Sequence, residues 1–256
     1  MLALARAPHD RPANLSVHEV VAAILSDLGI ARPPIDARLV AKRLGFRIHQ
    51  RSDELAGMGF RGYKMNEDPN SEQTPGIAGC IYVDQLDRPE RVQWITAHEI
   101  GELVLPGRVG DEISSDAIQL ERACDEFATE LLLPRDWFFE HCRQVRFDLL
   151  ELKAIFSTAS HEVIAKRMLA HHEPCVISIF DQDRRPRRFS NLGYSMPPVS
   201  FADGVIQRTV RTTGEAIRET RQTTAGGMEV AGWPVHDKET GWKREILRTT
   251  YDEWAA

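Results

Sequence analysis

Between Val17 and Leu28 the apolar residues Val17, Val20, Val21, Ile24, Leu25 and Leu28 recur at helical spacing, and Gly29 follows as a stop. DARLVAKRLGF predicts a second, short helix capped by Asp36 and closed by Gly45. The run FRIHQ then reads as a strand, MGFRGYKMN as another, and Ile77 to Asp84, IAGCIYVD, as the best strand of the chain. Glu67 to Gly76, punctuated by Pro and Gly, is predicted as a polar loop. A helix is predicted from Pro89, where a proline is tolerated in the first turn, to about Leu105, with Pro106-Gly107 ending it. DAIQLERACDEFATELLLP predicts a long amphipathic helix stopped at Pro134, and RDWFFEHCRQ, FDLLELKAIFS and SHEVIAKRMLAHH predict further helices.

The pattern changes near Glu173-Pro174. CVISIFD reads as a strand and RRPRRFSNLGYSMPPVS as a basic, proline-containing loop. DGVIQRTVRTTGEAIRE holds a helix interrupted or ended near Gly214. GGMEVAGWPVHD and GWKREILRTTY read as a terminal strand pair joined by DKETG. The chain is thus expected to be α+β: a disordered tail over 1–15, a helix-rich domain with a small β-sheet over 16–172, and a smaller mixed α/β or β-rich region over 173–256.

At 256 residues the chain is long enough to bury a sizeable core, and 42% hydrophobic with 27% charged residues is an ordinary globular composition. A net charge of -6 argues against a nucleic-acid-coating surface, and DRRPRR reads as a solvated loop. No apolar run approaches a membrane span, and the first residues lack the apolar core of a signal peptide, so a cytoplasmic protein is expected. Cys80, Cys124, Cys142 and Cys175 form no CxxC pair and read as buried reduced thiols. Trp94 and Trp137 read as core packing.

The chemistry concentrates in TAHEIGELVLPG. His98 and Glu102 are four apart, so a helix presents both on one face, with Glu99 one position round from His98. In H-E-x-x-H sites two histidines hold a metal and the glutamate is the general base. A carboxylate replaces the second imidazole here, and it too ligates divalent ions. Taken alone, the three residues read first as a solvated helix face. The next helix offers Glu121, with Asp125 one turn further along, beside an apolar stripe in which an acid is costly unless paired or metal-bound.

The order of these motifs resembles the ImmA/IrrE family of metallopeptidases. A β-rich approach leads into the His98 helix, followed by E-x-x-x-D/N-x-F-A-x-x-L-L-x-P; LGFRIHQ and IFSTASHEVIAKRM extend the similarity over roughly Ser16 to Leu169. The resemblance implies a zincin-like fold, with His98, Glu102 and Glu121 as metal ligands, Glu99 as general base, and Asp125 at the Asn/Asp position that follows. It implies a zinc- or manganese-dependent endopeptidase that cleaves a helix-turn-helix repressor of the Xre type and so releases gene expression, as in stress responses. The departure is Glu102, where the family carries histidine. A His-Glu-Glu set carries more negative charge and more oxygen, which makes the ion a poorer Lewis acid and shifts preference from zinc toward manganese. The competing expectation is a non-catalytic regulatory or binding protein that kept the scaffold and lost zinc.

Overall fold

The structure is a computed structural model and describes residues 15–51, 79–84, 88–182, 184–223, 226–237 and 239–251. The strand expected in MGFRGYKMN, the polar loop at 67–76 and the tail up to residue 14 lie outside the described residues. The chain divides into two compact units, one of residues 1–141 with 155–160, the other of residues 142–154 with 161–256.

In the first unit, helix α1 (Val17–Asp27) begins in a capping box: Ser16 Oγ accepts from the Glu19 N–H, and the Glu19 carboxylate accepts from the Ser16 N–H at 2.8 Å. Its buried residues, Val17, Val20, Val21, Ile24 and Leu25, belong to the expected apolar set. Helix α2 (Ala37–Arg43) starts where the Asp36 carboxylate accepts from the Arg38 and Leu39 N–H groups. Strands β1 (Phe46–Arg51) and β2 (Gly79–Asp84) pair in parallel, Phe46 opposite Gly79 through Arg51 opposite Asp84. Helix α3 (Pro89–Val104) packs on α2, on β2 and, most extensively, on α5 (Ala117–Leu132). The short helix α4 (Asp111–Ser115) occupies a stretch expected as loop, and α6 (Arg135–Gln144) follows Pro134.

The second unit contains α7 (Leu149–Ile155) up to residue 154, then α8 (His161–Arg167) and a five-stranded antiparallel sheet. Its strands are β3 (Cys175–Asp181), β4 (Arg187–Ser190), β5 (Ile217–Thr223), β6 (Gly226–Pro234) and β7 (Arg244–Tyr251), in the order β4-β3-β7-β6-β5. Helix α9 (Phe201–Thr213) lays Ile206 and Val210 on this sheet. A Cβ on Gly232 would come within 2.7 Å of Ile206 and 3.1 Å of Val210, so only glycine lets β6 and α9 approach this closely.

One expectation is corrected. Part of the basic loop is strand β4, because pairing with β3 recruits Arg187 to Ser190 and the Arg188 guanidinium donates to Ser178 Oγ at 3.0 Å. Helix α9 ends at Gly214, as expected, where the glycine adopts a left-handed φ of 70°; Ile217 onward forms a further strand, β5, against β6. Trp94 and Trp137 are half-buried, whereas Trp233 fills the core of the second unit and its indole N–H donates to Asp148. Among the described residues no helix is long and apolar enough to cross a membrane. The four cysteines form no disulfide.

Candidate metal centre

The site is built on two helices of the first unit. Helix α3 opens with Pro89 at its first position and buries Val92, Ala97, Ile100 and Val104, turning His98 and Glu99 inward. Helix α5 is fixed at its start by Asp116, whose carboxylate accepts from the Ile118 and Gln119 N–H groups at 2.8 and 3.2 Å. It buries Ala123, Cys124, Phe127, Ala128, Leu131 and Leu132. Gly101 sets how closely the helices meet. A Cβ there would lie 3.2 Å from the Phe127 ring and 3.3 Å from the Cys124 Cα, the backbone point between Glu121 and Asp125. The close approach at Gly101 therefore carries the acidic face of α5 to the imidazole three residues earlier on α3.

His98 is the centre of the cluster. Its Nε2 lies 3.4 Å from Glu102 Oε1 and 3.7 Å from Glu121 Oε2, while its Nδ1 lies 3.0 Å from Asp125 Oδ1. Nε2 is buried and makes no hydrogen bond among the described residues. One donor atom from each of His98, Glu102 and Glu121 falls within 4.8 Å of the others. The side chains open outward in steps: the imidazole is 10% exposed, Glu102 28%, Glu121 35% and Asp125 59%. A nitrogen at the floor with carboxylates rising to solvent lets an ion enter and keep a position for water or substrate.

The electrostatics suit a cation. The Glu102 carboxylate holds the His98 imidazole above its ordinary pKa; burial opposes this, and the charges of Glu121 and Asp125 add to it. Three carboxylates thus surround one group able to carry positive charge. The Cys124 thiol is pushed up to about 12 by burial, then by the charges of Glu102, Glu121, Asp125 and Glu99. Glu99 is buried, 5% exposed, on the inward side of α3.

The expected residues therefore lie together as far as geometry goes: His98, Glu102 and Glu121 converge, and Glu99 is buried beside His98 on the same helix. The contact of Asp125 with His98 was not anticipated. Its spacing of four from Glu121 placed it on the right face, but the direction of its carboxylate is a tertiary fact.

Comparison with known proteins agrees with this geometry. A family model described as Peptidase_M78, IrrE N-terminal-like domain, matches residues 41–169, half of the chain. No curated protein matches. Among solved structures, a Mycobacterium tuberculosis transcriptional regulator is similar over 92% of this chain and 87% of its own, with a TM-score of 0.64 and 14% identity, a likeness of fold. The sensor domain of the zinc-responsive histidine kinase CzcS from Pseudomonas aeruginosa aligns over 46% of this chain and 90% of its own at 15% identity, but with a TM-score of only 0.24. Members of the matched family are generally metal-dependent, and the His98 cluster suits a metal ion in its donors and their spacing. By its sequence model, the chain belongs to the IrrE N-terminal-like family, Peptidase_M78.

Proposed function

We propose that this protein is a cytoplasmic metal-dependent endopeptidase whose substrate is a helix-turn-helix repressor of the Xre type. The observation that carries the reading is the buried Nε2 of His98, without a hydrogen bond and faced by the carboxylates of Glu102 and Glu121. A buried polar atom left without a partner is costly, and a divalent ion would satisfy it while neutralising the two carboxylates. His98, Glu102 and Glu121 would hold the ion, and when bound it supplies Lewis acidity toward a peptide carbonyl. Glu99 is the general base: rotated about 100° from His98 round the helix, it accepts the proton of the attacking water while its neighbours hold the ion. The peptidase domain in this reading spans residues 16–172, with 173–256 as a C-terminal region.

The carboxylate of Glu102 in place of a second imidazole favours manganese over zinc relative to a His-His-Glu site. Glu102→His should accordingly raise zinc affinity. Tight zinc binding by the wild type with no gain in the variant would contradict this account of Glu102.

The test of catalysis is cleavage of a purified repressor of this type, encoded near the gene, with Mn²⁺, Zn²⁺ or chelator. Glu99→Gln keeps size and hydrogen bonding but removes the base. It is expected to lower cleavage by about 10²–10⁴-fold with metal content unchanged. Robust cleavage by Glu99→Gln would remove that residue from the mechanism. Absence of wild-type cleavage with every metal, alongside a repressor complex indifferent to Glu99→Gln, would favour a regulatory protein that binds without cutting.

A further inference from the structure

We propose that a cavity between α1, the C-terminal half of α5 and the start of α6 binds a small organic ammonium with an apolar body. The cavity is separate from the His98 cluster: Glu130, the acid in its wall, follows Glu121 by nine residues, about 13 Å along α5. It measures about 380 Å³, the size of a small-ligand site. Val21, Leu25, Ile30, Pro134 and Trp137 give it apolar walls. Glu130 and Asp136 add two carboxylates and His18 an imidazole, and among the described residues no lysine or arginine lines it.

The buried acid is fixed in place. Pro134 turns the chain from α5 into α6, and the N–H of Arg135, the first residue of α6, donates to Glu130 Oε1 at 2.8 Å. His18 Nδ1, on α1, lies 2.9 Å from the same oxygen. All three helices therefore hold this carboxylate, and its side chain is only 5% exposed. A charge set in an apolar wall is costly, and a cation beside it offsets that cost. Asp136 stands exposed at the rim, with Trp137 half-buried next to it. An ammonium gains from the carboxylates and from an indole ring, and an apolar body gains from the remaining walls. An anion would meet two like charges, and a neutral molecule would leave both carboxylates unanswered.

The test titrates the full chain calorimetrically with 2-phenylethylammonium, and with 2-phenylethanol and 3-phenylpropionate as neutral and anionic counterparts. The wild type, Ala22→Leu and Asp136→Asn are compared. Ala22 and Asp136 both line the cavity from exposed positions, so neither change disturbs the core. The ammonium is expected to bind the wild type with a Kd of about 1 mM or tighter. The alcohol should bind at least about tenfold more weakly, and the propionate not at all. Ala22→Leu puts a larger side chain into the cavity and is expected to abolish binding. Asp136→Asn should weaken it about two- to fivefold, as for an exposed charge pair. Absence of ammonium binding in the wild type, an alcohol or propionate that binds as well, or binding unchanged in Ala22→Leu would overturn the proposal. Self-association of the wild type that Ala22→Leu abolishes would overturn it too, giving the cavity to a second copy of the chain.

Discussion

Each unit of the molecule contains a cluster of charged side chains, and the two are built on opposite principles. In the second unit, Glu162 of α8 and Asp181 of β3 meet Lys166, Arg187 and Arg244. Arg187 donates to both oxygens of Glu162 at 2.6 and 2.9 Å and to Asp181 at 3.0 Å, Lys166 reaches Glu162 at 3.0 Å, and Arg244 closes on Asp181. In the first unit, three carboxylates face one imidazole, and the imidazole nitrogen between Glu102 and Glu121 makes no hydrogen bond among the described residues. The balanced cluster is complete within the chain. Every oxygen of its two carboxylates is bonded by the three cationic side chains, so it ties helix to sheet and has no call for a ligand. In the first unit, the carboxylates of Glu102, Glu121 and Asp125 gather round a single imidazole. Carboxylates therefore serve structure in one unit and candidate chemistry in the other, and the deciding quantity is the ratio of acceptors to donors.

The comparison can be broken from its balanced side. Burial disfavours the Glu162 charge, but hydrogen bonds from Arg187 and Lys166 and the charges of both outweigh it and bring the carboxyl from its ordinary 4.5 down to about 2. A folded-state pKa below the unfolded one contributes stability that is complete above about 4.5 and is lost as the pH falls toward about 2. Glu162→Gln should remove this pH dependence and cost about 1–3 kcal/mol at neutral pH, since it strands charged donors. Chemical denaturation of wild type and variant between pH 7 and acid reads both effects. A variant as stable as the wild type at neutral pH would show that the cluster holds nothing together.

A smaller effect sharpens the unbalanced side. Gly101→Ala adds a methyl against Phe127 and the Cys124 backbone. The gain in helix propensity of about 1 kcal/mol is opposed by overpacking of about 1–3 kcal/mol, so a net loss of about 1 kcal/mol is expected. Separation of α3 from α5 should also weaken metal binding. Unchanged affinity in a variant of lower Tm would mean that the close approach serves packing alone.

How much of this was legible in the sequence follows from what each element depends on. Helices α1, α2, α3 and α5 carry local signals: Ser16, Asp36 and Asp116 as caps, Pro89 at a first turn, apolar residues at helical spacing. Strands β4 and β5 do not. Both lie at sheet edges, and RRFS and IRETRQT are dominated by charged and polar residues, so their pairing is decided by β3 and β6. The half-burial of Trp94 and Trp137 likewise depends on where the neighbouring helices come to rest. At the site, helical periodicity alone places Glu102 on the face of His98. Glu121 was read from its place beside the apolar stripe of the next helix, and its role as a ligand from the resemblance to a family. The Asp125 contact with Nδ1 depends on the rotation of α5 against α3, which no local pattern encodes.

The central claim is that the open cluster takes a cation and the closed one does not. Calorimetric titration of the metal-free full chain with Mn²⁺ and with Zn²⁺ tests it most directly, in the wild type, His98→Ala and Glu162→Gln. The account predicts one divalent ion per chain in the wild type and in Glu162→Gln, and none in His98→Ala. Absence of binding in the wild type, or binding that survives His98→Ala, would contradict it.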